Sequence, residues 1–274
     1  MPNDSNRISS INSENISGIG MVTFLDVLGW KGIYKNDNKA IEKLNNIITK
    51  IKEASENNIP EHVLNFDNIN KIKIKVLSIS DTIVIISYFD DYKGKKSLTK
   101  IPKYILLSLY IHSKICGEAI REGINNNIYL RGATSLGKFE NKNSIFLGEA
   151  IDEAADWHEQ TDWIGVILSP TSSMYYRILQ YNLRNLRKNY AYDDVYEELK
   201  NWIHYGKVPL KDKKYSLNVC LNWLNNEIYL VKDKDMIFAN VGSLTKDIAS
   251  KYLNTFDFIE YIIKERNKMD QKNS

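Results

Sequence analysis

The chain has 274 residues, of which 43% are hydrophobic and 26% charged, and a net charge of +3. That length allows one large domain or a domain with a substantial extension, and the composition is that expected of an ordinary soluble globular protein. The small charge and dispersed lysines argue against a nucleic-acid partner, and no apolar run is long enough to span a bilayer.

No basic-then-apolar leader opens the chain, so a cytoplasmic protein without direct membrane contact is expected. Cys116 and Cys220 sit in apolar contexts without metal-ligand spacing and read as reduced core residues. His62, His112, His158 and His204 are isolated from one another, so no zinc site is legible. Residues 1–17, rich in Asn and Ser, read as a flexible tail.

Met21 to Trp30 is an apolar strand with one acid, Asp26, planted in it. An ionised carboxylate among such neighbours is costly unless a cation compensates it, and the four preceding residues hold none. From about Asp37 to Glu56, Ile41, Leu44, Ile47, Ile48 and Ile51 recur at helical spacing. Lys71 to Ser87 then reads as two strands. Ile72, Ile74 and Val76 alternate with lysines in the first, Thr82 to Ser87 is almost wholly β-branched in the second, and Ser80-Asp81 makes the turn.

A loop over 90–96 precedes a helix from about Thr99 to Glu122, with Pro102 in its first turn and His112 on its buried stripe as a satisfied core histidine. Asn127 to Gly137 reads as a strand carrying Arg131 and Gly132. Ile145-Phe-Leu, a helix over Glu149–Glu159 and a strand over Trp163–Ser169 follow. The acids Glu149, Asp152, Glu153 and Asp156 suit a helix N-terminus. Beyond residue 170 come a helix over about Ser172–Lys188, a second over about Asp193–His204, extended stretches at Val208–Lys211 and Tyr215–Trp223, and a final helix over about Thr245–Glu265. The basic cluster Arg184, Arg187 and Lys188 reads as a solvated helix face. Helices alternating with a sheet that contains an antiparallel hairpin indicate a ferredoxin-like α+β layer over residues 18–170, with 171–274 as a C-terminal α/β extension packed on it.

Asp26 and Asp81 each end an apolar run, so they converge if those strands pair. Two hard carboxylates suit Mg²⁺, which takes one or two of them together with phosphate oxygens. That is the chemistry of phosphoryl and nucleotidyl transfer.

Phe24-Leu-Asp26-Val-Leu-Gly29, Ile79-Ser-Asp81-Thr, Leu130-Arg-Gly-Ala133 and Gly148-Glu-Ala-Ile151 occur in the order found in class III nucleotidyl cyclases. The Ser-Asp and Arg-Gly-Ala variants look most like the bacterial pyrimidine cyclases of Pycsar antiphage defence. The resemblance covers about residues 20–170. It implies that Asp26 and Asp81 hold two Mg²⁺ or Mn²⁺ ions and that the backbone of Val27, Leu28, Gly29 and Trp30 approaches the triphosphate. It further implies a homodimer with sites at the interface, and a cyclic-nucleotide product acting on a separate effector. Leu77 and Ile145 align with the family's purine readers, and apolar side chains there disfavour adenine and guanine. UTP is the expected substrate over CTP. Asp152 and Asp156 stand where the family places its transition-state Asn and Arg; Arg131 is the candidate replacement, with an ion pair to an acid of the following helix as the alternative. A non-catalytic nucleotide- or partner-binding domain, a purine cyclase and a palm-type polymerase are the competing readings.

Overall fold

Alternation in the strands assigns one face of the sheet to each of two cores. The computed structural model describes residues 16–30, 37–57, 72–89, 102–142, 145–186, 201–224 and 246–273. Its elements are β1 (Ile16–Val27), α1 (Ala40–Asn57), β2 (Ile72–Ile79), β3 (Thr82–Phe89), α2 (Pro102–Asn125), β4 (Leu130–Lys142), β5 (Ile145–Leu147), α3 (Glu149–His158), β6 (Gly165–Leu168), α4 (Pro170–Leu186), β7 (Trp202–His204), β8 (Val219–Leu221) and α5 (Lys246–Asn273). The described residues form a mixed α/β structure, with five helices and an eight-stranded, mostly antiparallel sheet ordered β2-β3-β1-β4-β6-β8-β7; β5 pairs with β4. Among the described strands only β4 and β6 run parallel.

Met21, Leu25 and Val27 of β1 join Ile83 and Ile85 of β3 and Leu44, Ile47 and Ile51 of α1 in the larger core. Val22 of β1 and Val84 and Ile86 of β3 face the other way and pack with Ala150, Ile151 and Ala154 of α3. The period of two in a strand makes this division automatic. Asp37 starts α1 by accepting from the Lys39 amide with its carboxylate and from the Ala40 amide with its carbonyl. Its other carboxylate oxygen takes the Lys43 ammonium at 2.7 Å, which holds the Asp37 pKa below its ordinary value.

His112 is fully buried on α2, with Nε2 against the Thr23 hydroxyl at 2.5 Å and Nδ1 against the Ser87 hydroxyl. Thr23 also meets Thr134 at 2.6 Å and accepts from Cys116 at 3.5 Å. Burial lowers the His112 pKa to about 3, so the ring is neutral, and it raises the Cys116 thiol to about 12.

The acids of α3 divide between two helices. Glu149 and Asp152 lie in its own first turn, whereas Glu153 reaches the next helix. Its carboxylate accepts from the Thr171 amide at 2.9 Å and from the Ser135 hydroxyl at 2.6 Å. Ser169 caps the same end of α4 through the Ser172 amide.

Several boundaries differ from expectation. Ile16 and Ser17, assigned to the tail, open β1 because they pair with Asn141 and Glu140 of β4. Trp202–His204, expected as the end of a helix, is strand β7; the indole of Trp202 is buried and donates to the Leu109 carbonyl at 3.1 Å. The rest of that segment before 201, the tail before 16 and the loop at 90–96 lie outside the described residues. After residue 170 the chain continues the same sheet, with β8 beside β6 at Ile167↔Cys220. Phe258 of α5 meets Trp163 edge-on at 4.7 Å. Among the described residues no helix is long and apolar enough to cross a membrane.

Candidate active site

Asp26 is the last residue but one of β1, and its register partner on β3 is Thr82, the residue after Asp81. The two carboxylates therefore sit at the same end of adjoining strands. Asp81 belongs to a two-residue hairpin turn with Ser80, whose φ of 57° is left-handed. On the other side Asp26 stands opposite Arg131 of β4.

Arg131 supplies the cation that the sequence around Asp26 lacks. Its Nε and Nη2 both donate to Asp26 Oδ2, at 3.1 and 2.8 Å. Its Nη1 donates to the carbonyls of Thr161 and Glu159, at 2.8 and 3.4 Å. The pair is largely enclosed, with side-chain exposures of 11% for Arg131 and 20% for Asp26. Asp26 Oδ1 accepts no hydrogen bond among the described residues and remains open to a cation. Gly132 permits this arrangement, since a Cβ there would lie 2.3 Å from the Phe24 carbonyl oxygen.

The loop after β1 is a turn in which the Trp30 amide donates to the Val27 carbonyl at 3.4 Å and the Leu28 amide to the Tyr129 carbonyl at 2.8 Å. Gly29 has φ 75° with open space above its Cα, so it is the point of close approach in Val27–Trp30. Val27 is buried, and Leu28 and Trp30 pack on the larger core.

Leu77 pairs with Val84, which pairs with Phe24, so Leu77 lies near the carboxylates and on the face that Asp26 shares. Ile145 does not. It pairs with Lys142, nine positions further along β4 than Ala133, the partner of Phe24. Within one chain, Leu77 and Ile145 are on the order of 30 Å apart along the strands. Asp152 and Asp156 are exposed on α3, away from its buried residues Ala150, Ile151 and Ala154.

Three side chains on the elements around Arg131 were not legible as site residues. His158, at the end of α3, lies over Phe24 with ring centroids 5.8 Å apart. Lys211 is anchored through its amide to the Gln160 carbonyl at 2.8 Å, within the same turn that holds Arg131. Lys251 of α5 pairs with Asp162 at 3.6 Å. Partial desolvation lowers the Lys211 pKa, and the charges of Arg131 and Lys251 lower it further, against Glu159 and Asp162. The Lys211 ammonium has no ion-pair partner among the described residues. An exposed ammonium close enough to feel the Arg131 guanidinium suits a phosphate-bearing ligand.

Among the described residues no group of three or more His, Cys, Asp and Glu is arranged to hold a metal. Two carboxylates still fit a Mg²⁺ or Mn²⁺ whose other ligands are phosphate oxygens and water, because such ions keep few protein ligands. Neither the family models nor the curated proteins compared with this chain match it.

Proposed function

We propose that the chain is a nucleotidyl cyclase. We propose further that it is a uridylate cyclase, converting UTP to 3′,5′-cyclic UMP and pyrophosphate as an intracellular signal in antiphage defence. The carrying observation is the register Asp26↔Thr82, which puts Asp26 beside Asp81 at one sheet end. The succession β1-α1-β2-β3-α2-β4 with strand order β4-β1-β3-β2 supports a ferredoxin-like core of the class III kind.

In this reading the 3′-oxygen of the ribose bonds to the α-phosphorus and the bond from that phosphorus to the bridging oxygen breaks. Pyrophosphate leaves, and the hydroxyl proton goes to solvent. Two Mg²⁺ or Mn²⁺ ions, held by Asp26 and Asp81 with the substrate's phosphates, would activate the hydroxyl and neutralise the leaving group. Arg131 orients Asp26 through Oδ2 and leaves Oδ1 for the cation. Lys211 takes a phosphate oxygen of the substrate, and Gly29 lets the backbone come close to the triphosphate.

The separation of Leu77 from Ile145 supports a homodimer, in which a second subunit brings its own Ile145 to the site. The product would act on a separate effector. One observation favours a second, non-catalytic reading. Arg131 directs all its nitrogens to Asp26 and two carbonyls, and the exposed Asp152 and Asp156 offer no replacement donor. The test is incubation of the purified chain with ATP, GTP, CTP and UTP at equal concentration plus Mn²⁺, with products identified by mass spectrometry. Cyclic UMP in excess supports the proposal. Mainly cyclic AMP or GMP contradicts the pyrimidine assignment, and no cyclic product favours the binding reading.

A further inference from the structure

One face of α5 grips three successive residues, Asp162, Trp163 and Ile164. Lys251, Asn254, Thr255 and Phe258 recur there at the spacing of a single helical stripe. Asn254 donates from Nδ2 to the Asp162 carbonyl at 2.8 Å and to the Asp162 carboxylate at 3.3 Å, and Lys251 pairs with that carboxylate. Phe258 packs on Trp163, and the Thr255 hydroxyl accepts from the Ile164 amide at 2.9 Å. A carbonyl and a carboxylate only accept, so the Asn254 amide nitrogen, not its oxygen, faces Asp162.

Those bonds bear on Arg131 through one peptide group. The Thr161 carbonyl and the Asp162 amide lie in the same planar trans peptide and point opposite ways. The amide donates to the Pro209 carbonyl at 3.1 Å, while the carbonyl accepts from Arg131 Nη1 at 2.8 Å. Asn254 holds the next carbonyl, that of Asp162 itself, so this residue cannot turn without carrying the Thr161 carbonyl with it. The head of a long arginine side chain settles where its acceptors are fixed. At the Nη1 end those acceptors are carbonyls of the 159–162 turn, and at the other end Nε and Nη2 hold Asp26 Oδ2.

We propose that Asn254 is a positioning residue for Asp26. It fixes Asp162, through it the Thr161 carbonyl, and through that the Arg131 guanidinium that leaves Asp26 Oδ1 open; the bearing on a divalent ion rests on the nucleotide site proposed above. The last hundred residues are then part of the site's support, since both Asn254 and Pro209 belong to them and each holds Asp162. Outer partners of this kind orient the groups that meet an ion without touching it themselves.

The experiment follows hydrogen exchange of the Arg131 Nε–H by NMR in wild type, Asn254→Asp and Asn254→Ala, with the resonance assigned by its loss in Arg131→Lys. The Asp variant keeps the size and shape but sets an acceptor against two acceptors; the Ala variant only removes the donor. Exchange is expected to quicken about five- to ten-fold in the Ala variant and further in the Asp variant, with the backbone amides of β1 and β4 exchanging as in wild type. Unchanged Arg131 exchange in the folded variants overturns the inference. So does an equal rise at the β1 and β4 amides, which a merely structural role would produce. If the Asp variant does not fold, the Ala variant decides alone. Mn²⁺ affinity beside 3′-deoxy-UTP, which lacks the attacking hydroxyl, is measured on the same samples. Weaker affinity in the variants supports the inference, and quickened exchange at unchanged affinity overturns the role of Asn254 toward the ion. Absence of Mn²⁺ binding by wild type overturns the nucleotide site alone, and the exchange result then decides the link from Asn254 to Arg131.

Discussion

Asp26 and Arg131 face each other across β1 and β4, with Asp26 Oδ2 accepting from both Nε and Nη2 of the guanidinium. They are 105 positions apart in the chain. The pair solves a local problem of β1, an acid at the end of an apolar strand, with a residue from a different strand. It also fixes one carboxylate oxygen and leaves the other available.

Arg131→Ala should therefore destabilise the fold by about 2–3 kcal/mol, because it leaves a part-buried carboxylate without its charged donors. Arg131→Lys should restore only part of this, since one ammonium cannot reach Asp26 and two carbonyls together. Urea unfolding of the three proteins checks the order. Equal midpoints would show that the pair contributes nothing to stability.

Gly132→Ala should cost about 1–3 kcal/mol, because its Cβ would meet the Phe24 carbonyl at 2.3 Å and push β1 from β4 beside Asp26. Thermal unfolding measures the loss. An unchanged Tm would mean that the strands separate there without penalty.

His112 gives stability a defined pH dependence. Its pKa is about 3 when folded and near 6.5 when free, so the unfolded chain binds the extra proton first. Its contribution is complete above pH 6.5 and is lost as pH falls toward 3. Between pH 7 and 4 this amounts to about 3 kcal/mol. In His112→Gln, stability at pH 7 should fall with the lost packing, and the decline with acid should be shallower than in wild type by about that amount. Parallel declines measured by denaturant titration would rule out His112 as the source.

The strands and most helices were legible because their signals are local. The β2–β3 hairpin follows from alternation around Ser80-Asp81, and α1 from apolar spacing after Asp37. The partner of Asp26 was not legible, since it depends on which residue of β4 lies opposite. Helical reading failed at Trp202–His204, where pairing with β8 and the bond from Trp202 to Leu109 override local preference. Leu77 and Ile145 look equivalent in sequence, yet the register puts them far apart. His158 and Lys211 carry no local motif; ring packing puts the first on Phe24, and the turn at 159–162, which also holds Arg131, anchors the second.

If the chain turns over UTP, Lys211→Ala should raise KM about ten-fold and change kcat little, the signature of a phosphate contact kept in both ground and transition states. Steady-state kinetics at two salt concentrations checks this. A fall in kcat at unchanged KM would instead place Lys211 at the reacting phosphorus.

The proposal that Asp26 and Asp81 share one divalent site is tested most directly by Mn²⁺ binding in the presence of 3′-deoxy-UTP, followed by electron paramagnetic resonance in wild type, Asp81→Ala and Asp26→Asn. Asp81 lies in a turn, so its removal should leave the fold intact, which circular dichroism confirms or refutes on the same sample. Wild type is expected to bind Mn²⁺ with each variant weaker by about ten-fold or more. Wild-type affinity in a folded Asp81→Ala protein would contradict the claim that Asp26 and Asp81 act as one site.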